Sequence, residues 1–326
     1  MRRLLLTAAA TTAAALTLAA CGTTEPTADS SGKPSEAISL TDATGAKVTL
    51  DGPATKVVTT EWNVTESLLT LGVDPVGVAD VKGYKTWDTA VPLTTEPKDI
   101  GTRGEPSTDT IASLAPDLVL ATTDLPPAAV KQLRRIAPVL EVKSADSTDQ
   151  IGLMLDNIDL IARATGTTDK AKTVRTGWEA KVAEGRKALA DAGLDGTGLA
   201  FADGYVTSNQ VSLRPYTSGS LIGGVNEALG LKNTWTVKGD ASYGLGTTDV
   251  EGLTALPKDT RFAYIGSDGD ENSTPFTGAL AKNAVWTSLP FVKAGEVHRL
   301  PDGIWMFGGP GSMQAYVDAL VAALTK

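Results

Sequence analysis

The sequence predicts an α/β protein with two Rossmann-like lobes. Each lobe is built on a central, mostly parallel sheet; one long helix joins them, and a ligand cleft lies between them. Three observations lead there. Short β-branched runs alternate with helical periods through both halves of the 326 residues, the signature of parallel strands with helical crossovers. One unusually long helical period occupies mid-chain. Beyond it, features of the first half return in the same order, about 140 residues on.

The elements follow in chain order. "ISLTDATGAKVTL" reads as a hairpin, two alternating runs around Asp-Ala-Thr-Gly. A strand over 57–60, a helix over 64–71 stopped by Gly72 and a strand over 76–79 come next. "STDTIASLAPDLVLAT" predicts a short helix capped at Ser107 or Thr108, then a buried strand over 118–121. "PAAVKQLRRIAP" is a further helix and "VLEV" a further strand. Ile151, Leu155, Ile158 and Ile161 keep a helical period. Ala171, Val174, Trp178, Val182 and Leu189 then share one face of a helix between Thr168 and Ala192, a stiff beam between the halves. "GLAFADGY" opens the second half as a strand, and "SGSLIGGVNEALGLKNTW" is a helix ending at Leu-Gly. "TTDVEGLTALPKDTRFAYIG" mirrors the earlier helix–strand unit: Thr248 echoes Thr108, Leu253 echoes Ile111 and Leu256 echoes Leu114.

The ends predict the address. "MRRLLLTAAATTAAALTLAACG" has a charged start, an apolar stretch too short to span a bilayer comfortably and a small residue before Cys21. That is a lipobox, so Cys21 is the expected lipidation site; an ordinary secretory signal is the alternative. Residues 22–37 are rich in Ser, Thr, Pro and Gly and read as a solvated tether with a reach of roughly 20–25 Å. The expected organisation is a signal peptide over 1–20, a tether over 21–37, a first lobe over 38–165, a connecting helix over 166–193 and a second lobe over 194–326. Residues 1–20 carry two arginines and no acid, so their removal takes the net charge from −9 to −11. An acidic chain is a poor partner for nucleic acid. Cys21 is the one cysteine, so no disulfide is expected and the core must supply the stability; 42% hydrophobic residues can build one.

Enzymatic machinery is not visible. His298 is the single histidine, which argues against multi-histidine metal sites and His-dependent triads. "GSDGDENS" starts like a calcium loop, but Ser273 stands where Gly is needed and Ala279 where the bidentate Glu belongs. No phosphate loop or nucleophile elbow is present.

A cleft needs flat apolar walls and a few donors on loops after strand ends. Trp62, Tyr84, Trp87 and Arg103 qualify in the first half. Arg214, Tyr216, Tyr243, Trp305 and Phe307 qualify in the second. A guanidinium forks onto carbonyl or oxyanion acceptors; the alternative for Arg103 is a surface pair with Glu105 or Asp99. For each aromatic the alternative is core packing. "PDGIWMFGGPGS" reads as cleft wall held rigid by its Gly/Pro frame.

Four stretches, "VVTTEWNVTESLLTLGVDPVGVADVKGYKTW", "DIGTRGEPSTDTIASLAPDLVL", "WTSLPFVKAGEVHRLP" and "IWMFGGPGSMQAYVDAL", resemble ferric-siderophore substrate-binding proteins of ABC importers, nearest the hydroxamate (ferrichrome-type) branch. The resemblance covers nearly all of residues 40–326. It implies two lobes with small closure motion and a hydroxamate–iron complex held by an arginine and aromatics. Arg103 matches the family's chelate arginine, Trp87 a wall residue, and Trp305 and Phe307 the Trp-Phe-Tyr motif, with Phe offering no hydroxyl. Tyr243 stands where the family has Trp. "TTDLPP" replaces a first-lobe tyrosine, a loss for which Arg214 compensates. Asp109 and Glu251 match the acids that dock the permease; the alternative is that each simply favours its helix start. What the resemblance implies is a monomeric lipoprotein on the outer face of the cytoplasmic membrane, with no enzymatic activity and no cofactor. Its iron is carried by the bound siderophore, its partner is an ABC permease, and lipid on Cys21 anchors it. Ferric citrate, a corrinoid, a surface-anchored hydrolase or an adhesive lipoprotein are the other readings.

Overall fold

The computed structural model describes residues 37–208 and 210–326; Cys21, the signal peptide and nearly all of the tether lie outside them. The first lobe opens with an antiparallel hairpin, β1 (Ile38–Thr41) and β2 (Lys47–Leu50). There follow β3 (Val57–Thr59), α1 (Trp62–Thr70), β4 (Gly77–Val78), α2 (Val81–Trp87), β5 (Lys98–Asp99), α3 (Thr108–Leu114), β6 (Leu118–Thr122), α4 (Pro127–Leu133) and β7 (Val139–Val142). Their sheet is wholly parallel, in the order β5-β4-β3-β6-β7. Strands β3, β6 and β7 are buried along their whole length, as continuous apolar runs covered on both faces should be.

Two helices then cross between lobes: α5 (Gln150–Thr165) and the 24-residue α6 (Thr168–Asp191). The face foreseen for α6 is the buried one. Ala171 and Val174 sit in the core of the first lobe, while Trp178 and Leu189 sit in that of the second. Helix α5 divides likewise, with Ile158 and Ile161 in the first core and Met154 and Leu155 in the second. Side chains of one helix buried in two cores couple the lobes through packing, which tolerates little rearrangement.

The second lobe contains β8 (Gly198–Thr207), β9 (Gln210–Pro215), α7 (Leu221–Ala228), β10 (Lys232–Asn233), β11 (Arg261–Tyr264), α8 (Ala284–Ser288), α9 (Pro290–Lys293), β12 (Val297–Arg299) and α10 (Pro310–Leu324). Strands β10-β8-β11-β12 run parallel, and β9 returns antiparallel along the far end of β8. The mirrored helix after Thr248 is instead a single 3-10 turn, Glu251–Ala255. It buries Leu253, as α3 buries Ile111, but Gly252 within it disfavours a longer α-helix.

A second tie between lobes was not foreseen. Glu66 of α1 and Asp88, just past α2, are both fully buried. The N-terminus of α10 lies on them. Ser312 donates its backbone N–H to Glu66 Oε1 at 2.8 Å and its hydroxyl to Asp88 Oδ1 at 3.2 Å. Glu66 Oε2 and Asp88 Oδ2 are buried without a conventional partner. Burial first, and then the charge of Glu66, pushes the Asp88 carboxyl up to about 10; burial raises Glu66 too. Asp88 therefore holds its proton at neutral pH, and the positive end of α10 favours negative charge on Glu66. Glycines make this approach possible. A Cβ on Gly308 would overlap Glu66 Oε2, and one on Gly311 would overlap Val91 and lie 3.2 Å from Glu66 Oε1. The Gly-Gly-Pro-Gly run is thus a cradle for a carboxyl group as well as a loop frame. Beside it, Thr89 and Ala90 of the first lobe donate to the Gly303 carbonyl at 2.8 and 2.9 Å.

The folded pair keeps a proton that unfolded carboxylates release above pH ~4. Stability should therefore fall as pH rises from there to about 10, by up to about 1.4 kcal/mol per pH unit for one proton. Asp88→Asn, which mimics the protonated acid, should flatten that slope between pH 7 and 9 in thermal melts; an unchanged slope would contradict the proton held on Asp88. Gly308→Ala should cost about 1–3 kcal/mol in urea unfolding.

Candidate ligand cleft

A cavity of about 720 Å³ opens between the lobes. Each wall follows from a strand end. Strand β3 stops at Thr59, and Glu61 caps α1 by accepting from the Trp62 N–H at 2.9 Å. That places Trp62 at the mouth of the sheet, where its indole N–H donates to the Ala79 carbonyl at 3.1 Å. Trp87 ends α2 and lines the same cavity. Arg103 comes from the loop after β5, whose Gly101 takes a positive φ of 96° and so turns the chain toward the cleft.

The Arg103 guanidinium carbon lies over the Trp62 ring, 3.9 Å from its centroid, and 5.5 Å from that of Trp305. Its Nη1 donates to Glu61 Oε1 at 2.8 Å, so its carboxylate partner is Glu61 rather than Glu105 or Asp99. From the second lobe, Trp305 meets Trp62 edge-on at 4.8 Å, Phe307 meets Trp305 at 5.2 Å and Tyr243 meets Phe307 at 5.7 Å. Four rings thus form a continuous ridge from one lobe to the other. Trp305 is tied to the buried acids, because its N–H donates to the same Ser312 hydroxyl at 3.3 Å. Met306, between the two rings, is buried in the second core.

Two expected wall residues are elsewhere. Tyr84 is wholly buried beneath α2; its hydroxyl donates to the Val91 carbonyl at 2.6 Å and steadies the loop that carries Asp88. Although it lies only three residues before Trp87 on the same helix, its ring turns into the core rather than into the cleft. Tyr216 is also buried, behind Phe307, with its ring 5.1 Å from Phe201 in the core. It supports the wall from behind. Arg214 does reach the cavity, but as half of an ion pair: it grips both oxygens of Asp203, directly opposite on the β8–β9 hairpin. It is not a free substitute for the missing tyrosine.

Residues that sequence reasoning missed also line the cavity, among them Glu61, Asn63, Asp203, Tyr205 and Leu245. Asp203 was legible in principle, since pairing "GLAFADGY" with "VSLRPY" across a hairpin sets it against Arg214. In "TTDLPP", Asp124 accepts a hydrogen bond from the Tyr243 hydroxyl across the cleft. Burial, and then Asp124, raises the Tyr243 phenol above the usual tyrosine range, so it stays a donor. Tyr205 on the rim donates to Asp270 at 3.0 Å, in the segment that resembled a calcium loop. His298 pairs with Glu296 at 3.0 Å, away from the cavity lining. Asp109, in the first turn of α3, and Glu251, opening the 3-10 turn, are both exposed.

A model of the periplasmic binding protein family matches residues 57–303. The chain belongs to that family. It is 29% identical over 269 residues to the Fe(3+)-citrate-binding protein YfmC of Bacillus subtilis (strain 168), covering 79% of this chain and 77% of that one. It is 25% identical over 275 residues to the iron(3+)-hydroxamate-binding protein FhuD of Escherichia coli (strain K12), covering 82% and 86%. The crystal structure of Fe3+–Desferal-bound siderophore binding protein FhuD from Vibrio cholerae superposes with a TM-score of 0.73 at 24% identity, over 83% of this chain and 98% of the other. As in that structure, the fold of this family member is two α/β lobes.

Tyr243→Phe should lower stability by about 1 kcal/mol through loss of a bond to a carboxylate. Asp124→Asn combined with it should cost little more than the single change, a coupling readable from a double-mutant cycle in urea.

Proposed function

We propose that this chain is an extracytoplasmic solute-binding lipoprotein, anchored through Cys21, that captures an iron(III)–siderophore complex and delivers it to an ABC permease. The hydroxamate type is the favoured ligand. One observation carries the reading: a four-ring aromatic ridge with Arg103 stacked upon it, facing a cavity of about 720 Å³. That volume lies within the usual range for small-molecule sites of roughly 300–1,000 Å³. A siderophore supplies all the oxygens around its iron, so the protein needs to hold an organic shell, not a bare ion. Flat rings pack against that shell, and the guanidinium meets hydroxamate oxygens that carry partial negative charge. The likeness to the E. coli hydroxamate-binding relative supports this reading. The likeness to the B. subtilis citrate-binding relative supports ferric citrate as the second reading.

Titration with a ferric trihydroxamate should quench tryptophan fluorescence saturably, without turnover. Trp305→Ala and Arg103→Ala should each weaken binding at least tenfold; retention of full affinity by both would refute the site. Asp109→Lys and Glu251→Lys should leave binding unaltered but abolish uptake by cells, as expected of permease-docking acids.

A further inference from the structure

The ionisable groups of the cleft point to the charge of its ligand. Among the described residues, the cavity lining offers two cations, Arg103 and Arg214, and both are already paired. Glu61 holds the first at 2.8 Å, and Asp203 grips the second through both oxygens. The lining is therefore balanced, two against two. Immediately behind it stand two more carboxylates. Asp124 is bonded to the hydroxyl of Tyr243, and Asp270 to that of Tyr205, and both tyrosines line the cavity. No lysine lines it.

We infer that Glu61 and Asp203 determine the charge class of the ligand: the cleft accepts a neutral or cationic ferric chelate and rejects a polyanionic one. The inference rests on the reading that the cleft holds a ferric siderophore. It deepens that reading, because it separates the trihydroxamate from the citrate complex. A trihydroxamate neutralises the three charges of Fe3+, and a pendant ammonium makes the complex cationic; a dicitrate complex keeps net negative charge. A polyanion entering here would need guanidinium charge that is not already offset. Each guanidinium has a carboxylate beside it, so an anion reaching either one meets that carboxylate as well. Inside a partly dehydrated cleft such repulsion is amplified over its value in water. Rejection by unfavourable contacts sharpens selectivity beyond what attraction alone provides. Glu61 has a further reason to stay: it caps α1, so it cannot swing away without uncapping the helix beneath Trp62.

The test holds the iron shell constant and varies only the tail. Ferrioxamine is prepared with its terminal amine free, acetylated or succinylated, giving cationic, neutral and anionic forms of one chelate. Quenching titrations with the wild-type protein should rank them cationic or neutral first and anionic last, with at least a tenfold span at low salt. That span should narrow as salt is raised. Glu61→Gln and Asp203→Asn, checked for folding by circular dichroism, should each shrink the span severalfold. Equal affinity for the amine and succinylated forms in the wild type would overturn the inference without any variant being needed. So would a span that survives both substitutions. Absence of quenching by all three chelates would overturn the ligand class itself, and the inference with it.

Discussion

The burial of Glu66 and Asp88 against the start of α10 is the constraint on which the site depends. Two buried acids would repel one another if both were ionised, and one unpaired buried charge is costly. Here the surroundings resolve the conflict. Asp88 keeps its proton, the start of α10 faces Glu66, and Ser312 binds both groups at once. The same hydroxyl accepts from the Trp305 N–H. The path from a buried acid pair to the cavity wall is therefore only two hydrogen bonds long. Since the acids belong to one lobe and the helix to the other, the wall is set by how the lobes meet.

Packing reinforces that arrangement. Helices α5 and α6 each place side chains in both cores. The chain then recrosses where Thr89 and Ala90 bond the Gly303 carbonyl. A cleft assembled this way holds its rings near their final positions before any solute arrives. Preorganisation of that kind reduces the ordering cost of binding. It also explains why a ridge built from both lobes can be continuous: Trp62 and Trp305 touch because the backbone segments behind them are fastened together.

Much of the fold was legible because its signals are local. Alternating strand and helix periods, the Leu-Gly stops and the face shared by Ala171, Val174, Trp178 and Leu189 need no knowledge of distant partners. The cavity residues Trp62, Trp87, Arg103, Tyr243, Trp305 and Phe307 were legible for a similar reason, as large or charged side chains next to strand ends or in glycine-framed loops. Tyr84 and Tyr216 carry the same local signal yet are buried, because the direction each ring takes is decided by the tertiary packing around it. Glu66 and Asp88 were invisible as a pair: they are separated by a strand and a helix, and Ser312 lies 246 positions beyond Glu66. A charged residue in an apolar helix is the trace they leave, and only tertiary structure says what it meets. Glu61 and Asp203 escaped notice because each looks like an ordinary cap or strand acid until its arginine is seen beside it.

The last loop divides its work by position. Trp305 and Phe307 look into the cavity, Met306 anchors the core beneath them while touching the cavity floor, and Gly308, Gly309 and Gly311 crowd the buried acid. Contact with solute and attachment to the scaffold are thus interleaved along one short segment, and the two rings themselves carry none of the attachment to the buried acids. A lineage, or a sensor engineer, could exchange the two rings to suit a differently shaped guest while leaving the fastening untouched. The segment behaves as a replaceable faceplate on a permanent bracket.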